Sequence, residues 1–217
     1  MRISTTAIEA VRRYLEPENE WMTESKLLAQ LRGDELESPA RRLGKAFGRI
    51  LEMPLEYYDR ARAGFDCEGL FFSSAVMAEP LGLMDYEHGH FEVKGKRAYA
   101  DGHEVVAVAD QVVGARILEH KTSDYFDAET YLASCQWRFL LDVLGGLSVE
   151  YLVFLLKVAD DGEIKLRGIE RLTVYPYPTL HDDCQSLVDQ FVAYVSLRGL
   201  GPALEAHQRR RAGGVLG

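Results

Sequence analysis

With 217 residues, 47% of them hydrophobic and 27% charged, the chain has the composition of a globular protein of one generous domain, and no run reaches the roughly 18 uninterrupted apolar residues of a membrane-spanning helix. Its net charge of −9, from 25 basic and 34 acidic side chains, excludes a protein that coats nucleic acid with its whole surface and leaves only local contacts; it is also what results when carboxylates gather around metal ions. Cys67, Cys135 and Cys184 are scattered without a CxxC, which excludes a structural zinc site or a four-cysteine iron–sulfur cluster, and the opening MRISTTAIEAVRRYLEP has no apolar signal segment, so a reduced, cytoplasmic protein away from membranes is expected.

The first part of the chain reads as helices. Thr5 or Thr6 can cap a segment carrying Ile8, Val11 and Leu15, and Thr23 another carrying Leu27, Leu28 and Leu31. A third begins with Ser38 as N-cap and Pro39 in the first helical position. Its stripe is Leu43, Ala46, Phe47, Ile50 and Leu51, and it should stop before Pro54. The opposite face carries Arg41, Arg42, Lys45 and Arg49, for which two readings stand: a solvated face, or one that meets phosphates. From Phe91 the pattern turns to strands, Phe91–Val93, Ala98–Ala100, Glu104–Ala109 and Arg116–Lys121, separated by turn signals at Lys94-Gly95-Lys96, Asp101-Gly102 and Gly114. A helix from Asp127 or Thr130 to Gly145 follows. The strand Tyr151–Val158, a turn at Asp160-Asp161-Gly162, and a second strand from Ile164 to Val174 with an irregularity near Gly168 come next. A helix from about Asp182, packing Leu187, Val188, Phe191 and Val195, closes at Gly199.

This order gives an α/β domain with a mixed central β-sheet flanked by helices and a helical N-terminal part. The single domain is expected over residues 1–200, with the helical part at about 1–60, a catalytic core at about 90–200 and a flexible basic tail over 201–217.

The chemistry concentrates on one hairpin. Asp110 ends the strand Glu104–Ala109, and Glu119-His120-Lys121 comes nine positions later on the returning strand. Side chains two apart on a strand share a face, so Glu119 and Lys121 project together, His120 faces away, and Asp110 can converge on Glu119. Two carboxylates and an ammonium suit a Mg²⁺ or Mn²⁺ ion with a lysine serving a water that attacks phosphorus, although an exposed hairpin ion pair reads equally well from the spacing. Gln136 falls within the apolar stripe Leu132, Cys135, Phe139, Leu140 and Val143 of the next helix. An unpartnered buried amide costs on the order of 1–3 kcal/mol, so it needs something to bind, either a loop carbonyl or the hairpin site.

Asp110, Glu119-His120-Lys121-Thr122-Ser123 and Gln136 together resemble the PD-(D/E)XK nuclease superfamily, in particular its RecB-like and phage-type exonuclease branch. There an acid, an acid-X-Lys-Thr strand end and a helical glutamine recur in this order. Gly44-Lys45-Ala46-Phe47-Gly48-Arg49-Ile50-Leu51-Glu52-Met53-Pro54 looks like the first helix of that branch, and the likeness spans residues 25–180. It implies a restriction-endonuclease-like core. It also implies a Mg²⁺ or Mn²⁺ ion held by Asp110, Glu119 and the main-chain carbonyl of His120, with Lys121 serving the nucleophilic water and Gln136 positioning it or the DNA. The implied activity is a divalent-metal-dependent DNA nuclease of phage or prophage recombination or repair type, an exonuclease that leaves 5′-phosphates. DNA would be its partner, met by Arg41, Lys45 and Arg49, and a homo-oligomer or a recombination partner protein is compatible. Two positions depart from the pattern: Gly48 stands where the branch often carries a metal-binding histidine, and Leu140 where a tyrosine often follows the glutamine. Glu52, one turn beyond Gly48, can substitute as a ligand or be simply solvated. The alternative is a catalytically inactive nuclease-fold protein that binds DNA or a partner.

Overall fold

A computed structural model of the protein describes residues 1–17, 21–34 and 37–206. The chain starts as a short strand, β1 (Arg2–Ser4), and enters α1 (Thr5–Leu15) through Ser4, whose hydroxyl accepts the amide of Ala7. Thr23 caps α2 (Glu24–Arg32), which ends on Gly33 in the left-handed region. Ser38 and Pro39 open α3 (Pro39–Glu52) as their types dictate, and Pro54 starts the single turn α4 (Pro54–Tyr57). Then come β2 (Tyr58–Asp59), β3 (Gly64–Cys67), β4 (Leu70–Ser73), α5 (Ser74–Gly82), β5 (Gly89–Ala98), β6 (Glu104–Val113), β7 (Arg116–Ser123), α6 (Ala128–Ala133), α7 (Gln136–Leu144), β8 (Ser148–Val158), β9 (Ile164–Val174) and α8 (Leu180–Leu197).

The main sheet has six strands, in the order β1-β6-β7-β8-β9 with β5 also on β6. It is mixed: β5–β6, β6–β7 and β8–β9 are antiparallel, whereas β1–β6 and β7–β8 are parallel. Helices flank it, as expected. One core joins Ile8, Val11, Leu27, Leu31, Phe139, Leu140, Val188 and Phe191 to Val105, Ala107, Val149, Tyr151 and Val153 of the sheet. The second joins Phe47, Ile50, Leu51, Phe72 and Met77 to Leu152, Phe154 and Leu156. The alternate residues of β8 therefore enter opposite cores, which is why that strand is almost continuously apolar. Phe47 anchors the second layer, its ring 4.9 Å from that of Phe154 and 5.8 Å from that of Phe72.

Three expectations need correction, and two elements, β1 and the sheet of β2, β3 and β4, are unexpected. Lys94-Gly95-Lys96 is no turn: β5 runs straight through it because β6 supplies the partners Val108, Ala107 and Val106. The helix expected from Asp127 to Gly145 is two, α6 and α7, because the amide of Cys135 is taken by Glu9 Oε2 (2.9 Å) instead of by a helical carbonyl. The strand β1, whose three residues pair in parallel with Glu104–Val106, carries too short a pattern to be read. Residues 58–73 form a separate three-stranded sheet, β2-β3-β4. The tail does not fray from residue 201: 201–206 is helical and Leu204 is buried in the first core, while the rest of the expected tail, 207–217, lies outside the described residues. The irregularity near Gly168 is present, as a register shift between Leu155 and Leu156 opposite it.

No helix among the described residues is long and apolar enough to cross a membrane. All three cysteines are buried and free.

Candidate active site

The geometry of the site begins with a fork in the sheet. Strand β6 is paired with β5 on one edge from Glu104 to Val113, except at Asp110. Its other edge is shared: β1 holds Glu104–Val106, and β7 holds only Gln111–Val113, through Gln111↔Leu118, Val112↔Ile117 and Val113↔Arg116. Beyond Leu118, β7 leaves β6 and stays with β8, leaving Ala107–Asp110 without a strand on that side. Asp110 and Glu119 are the first residues past the last shared rung. There the Asp110 carboxylate takes over from the ladder, accepting the main-chain amide of His120 at 2.6 Å. The two acids thus face each other across the mouth of the fork.

Glu119 is 3% exposed. Its Oε1 accepts from Lys121 Nζ at 2.7 Å and from the amide of Gln136, while its Oε2 has no partner. Gln136 reaches it because the break between α6 and α7 puts this residue in the first turn of α7, where Ser134 Oγ accepts its backbone amide (3.2 Å). His120 faces the other layer, its ring edge-on to Phe154 at 6.2 Å, as period-two alternation requires. On that side α3 crosses β7 closely: a Cβ on Gly44 would come within 2.9 Å of Thr122 Oγ1, whereas Gly48, one turn on, has open space around it. Among the described residues six buried side-chain polar atoms lack a partner, and four of them, on Gln111, Glu119, His120 and Tyr151, belong to the strands that form or back the fork. Native proteins rarely leave such atoms unsatisfied, and Glu119 Oε2, beside Lys121 and Gln136 at the mouth of the fork, has room for a further donor.

The electrostatics agree. Burial pushes the Glu119 carboxyl up to about 7, with the charge of Asp110 next in effect and Lys121 opposing. Asp110 is also raised by burial, against the pull of Lys121 and the His120 amide. Burial works against the Lys121 ammonium, but Glu119 and Asp110 outweigh it and hold the amine above its ordinary value. Burial lowers His120 to about 4, so its imidazole is neutral. Two crowded carboxyls with one lone pair set left open are the donor set of a hard cation. No group of three His, Cys, Asp or Glu side chains among the described residues is gathered to hold an ion by itself. Mg²⁺ fits this arrangement, since it is commonly bound through one or two carboxylates and keeps several waters.

Glu52 sits at the end of α3, and its charge reaches both Asp110 and Glu92. Glu92 escapes sequence reading altogether, because in Phe91-Glu92-Val93 it looks like any exposed strand residue. Arg41, Lys45 and Arg49 lie along α3, and all three have partners: Lys45 Nζ is 3.4 Å from Glu68 Oε1 and 3.5 Å from Glu37 Oε1, and Arg49 pairs with Glu68 as well.

No protein-family model matches the sequence, and no curated protein matches it. Among solved structures the chain is similar to SSO0001, with 16% identity and a TM-score of 0.50 over 89% of this chain and 76% of that one. It is also similar to the alkaline exonuclease LHK-Exo from Laribacter hongkongensis, with 13% identity and a TM-score of 0.49 over 98% and 94%. The same enzyme in complex with dAMP gives 14% identity and a TM-score of 0.45 over 97% and 93%. At 16% identity and a TM-score of 0.50, the similarity to SSO0001 is a likeness of fold. The chemistry has to come from the side chains.

Proposed function

We propose that the protein is a divalent-metal-dependent DNA nuclease that hydrolyses phosphodiester bonds, an exonuclease of phage or prophage recombination type. The reading rests on one observation above all: the fork between β6 and β7 brings Asp110, Glu119, Lys121 and Gln136 together and leaves a buried oxygen of Glu119 unpartnered.

Asp110 and Glu119, with the main-chain carbonyl of His120, would hold Mg²⁺ or Mn²⁺, which when bound supplies Lewis-acid stabilisation of charge on the phosphoryl oxygens. Lys121, kept as an ammonium by its neighbours, orients the attacking water and adds positive charge beside the phosphate. Gln136 fixes the Glu119 carboxylate through its amide and so sets which oxygen stays open. The neutral His120 imidazole packs on Phe154 and keeps the strand in place. Arg41, Lys45 and Arg49 would meet DNA phosphates, with Lys45 and Arg49 exchanging Glu68 for them.

The test is cleavage of linear duplex and single-stranded DNA by the purified protein in Mg²⁺, with Asp110→Asn and Lys121→Ala alongside. Loss of cleavage in both, with unchanged circular dichroism, supports the assignment; cleavage that survives both rejects it. A protein that binds DNA but neither binds Mn²⁺ nor cuts would be the inactive nuclease-fold protein instead.

A further inference from the structure

Glu92 lies on β5 between the rungs Phe91↔Gln111 and Val93↔Ala109, which puts it opposite Asp110. Continuing the β6–β7 register by one residue puts Glu119 opposite Asp110 on the other side. Three acidic residues thus stand in a row across β5, β6 and β7. Like charges directly opposite on neighbouring strands repel. At the same point Glu92 has φ 51°, in the left-handed region that a non-glycine residue seldom enters, and the rung to Asp110 is missing.

A fourth carboxylate is tied to this row. Tyr86 donates its hydroxyl to the carbonyl of Leu51 at 2.8 Å and stacks its ring on Phe91 at 5.6 Å. One residue further along each segment lie Glu52 and Glu92, so a single tyrosine joins the end of α3 to the strained point of β5. The charges of Glu52 and Glu119 both reach Glu92. Lys121 is the one ammonium hydrogen-bonded within the row. The unpartnered, buried Glu119 Oε2 is an independent sign that something bound here is meant to complete the set.

On the reading of the site given above, we infer that Glu92, with Glu52, positions the divalent cation held by Asp110 and Glu119 by accepting hydrogen bonds from its water ligands, the role left open by Gly48. Direct ligation by all of these carboxylates at once is not what the geometry offers, since no three of them are gathered tightly enough. An ion that keeps part of its water shell gives the outer carboxylates their partners. Gly48, with nothing within 4 Å of its missing Cβ, leaves room for that water on the α3 side.

The probe is Mn²⁺ itself, titrated into the full chain without DNA and followed by calorimetry and by electron paramagnetic resonance. Glu92→Gln and Glu92→Gly should each weaken Mn²⁺ binding by about tenfold or more, the usual penalty for losing a residue behind the direct ligands, and Glu92→Asp should recover part of it. The melting temperature of the metal-free Glu92→Gly protein should stay level or rise, because glycine accepts φ 51° freely and one repelling charge is gone. Affinity unchanged in both Glu92→Gln and Glu92→Gly, while Asp110→Asn abolishes binding, overturns this inference and leaves the nuclease reading standing. A parent protein that binds no Mn²⁺ overturns both.

Discussion

Two consecutive residues, Cys135 and Gln136, reach two different carboxylates, the half-buried Glu9 and the buried Glu119, and the contrast between these explains much of the molecule. Cys135 gives its amide to Glu9, which also accepts from Arg12 Nε at 2.9 Å, Arg12 Nη2 at 2.8 Å and Arg13 Nε at 2.7 Å. Gln136 gives its side-chain amide to Glu119, where one oxygen has two donors and the other has none. Burial pushes both acids up, but at Glu9 the bonds from Arg12 and the Cys135 amide win and bring it down to about 2, whereas Glu119 rises to about 7. The carboxylate that staples α1 to the α6–α7 break has donors on both oxygens; Glu119, with one oxygen open, is kept short of partners at a cost in stability. The same break in the helix serves both, so the staple holds Gln136 where the site needs it.

The sharpest way to break this comparison is by function. Lys121→Ala and Asp110→Asn should each reduce cleavage by about a thousandfold or more, since they remove charge placed at the reacting phosphate, in single-turnover assays on folded protein. Glu9→Gln, measured in the same way, should lower cleavage far less, since Glu9 acts on Gln136 only through the helix break.

Stability should separate the two acids with opposite signs. Glu9 has its folded pKa lowered from 4.5 to about 2. Its contribution is therefore complete above pH 4.5 and lost as pH falls toward 2, about 3 kcal/mol at about 1.36 kcal/mol per pKa step, and Glu9→Gln should flatten the acid limb of a melting-temperature profile. Glu119 has its folded pKa raised from 4.5 to about 7. What it contributes to the metal-free protein is present below pH 4.5 and lost as pH rises through 7, on the order of 3 kcal/mol. Glu119→Gln should then stabilise the metal-free protein at pH 8, and Mn²⁺ should recover stability in the parent only. A Glu119→Gln protein that melts lower than the parent at pH 8 would place Glu119 with the structural acids.

Smaller effects sharpen the surroundings. Gly44→Ala puts a Cβ 2.9 Å from Thr122 Oγ1, so α3 or Thr122 must shift; about 1–3 kcal/mol of stability should be lost in denaturant titration, with a fall in activity. The double change Lys45→Ala, Arg49→Ala should weaken DNA binding across sequences and lower the dependence of log K on log salt by about 2, while leaving Mn²⁺ binding alone. A salt slope that does not move would assign α3 to its ion pairs with Glu68 only.

What was legible in the sequence was what the chain decides over short distances. Ser38-Pro39 and the stripe to Leu51 specify α3, and the turn after Val113 specifies the hairpin, so Asp110, Glu119 and Lys121 could be brought together with no knowledge of anything else. Gln136 was readable because an amide amid apolar residues needs a partner. The fork itself was not, since it depends on β1 taking the lower half of the β6 edge from more than a hundred residues away in the chain.

Long-range packing decided the remainder. Glu92 came to stand opposite Asp110 through its register against β6, Glu52 was brought near β5 by the Tyr86 tie, and Lys45 and Arg49 were claimed by Glu68 on the turn between β3 and β4. The helix after Lys121 was cut in two by a carboxylate on α1. Periodicity and capping are properties of a segment, written in its own side chains. Which charge meets which is a property of surfaces that touch only after the segments have packed.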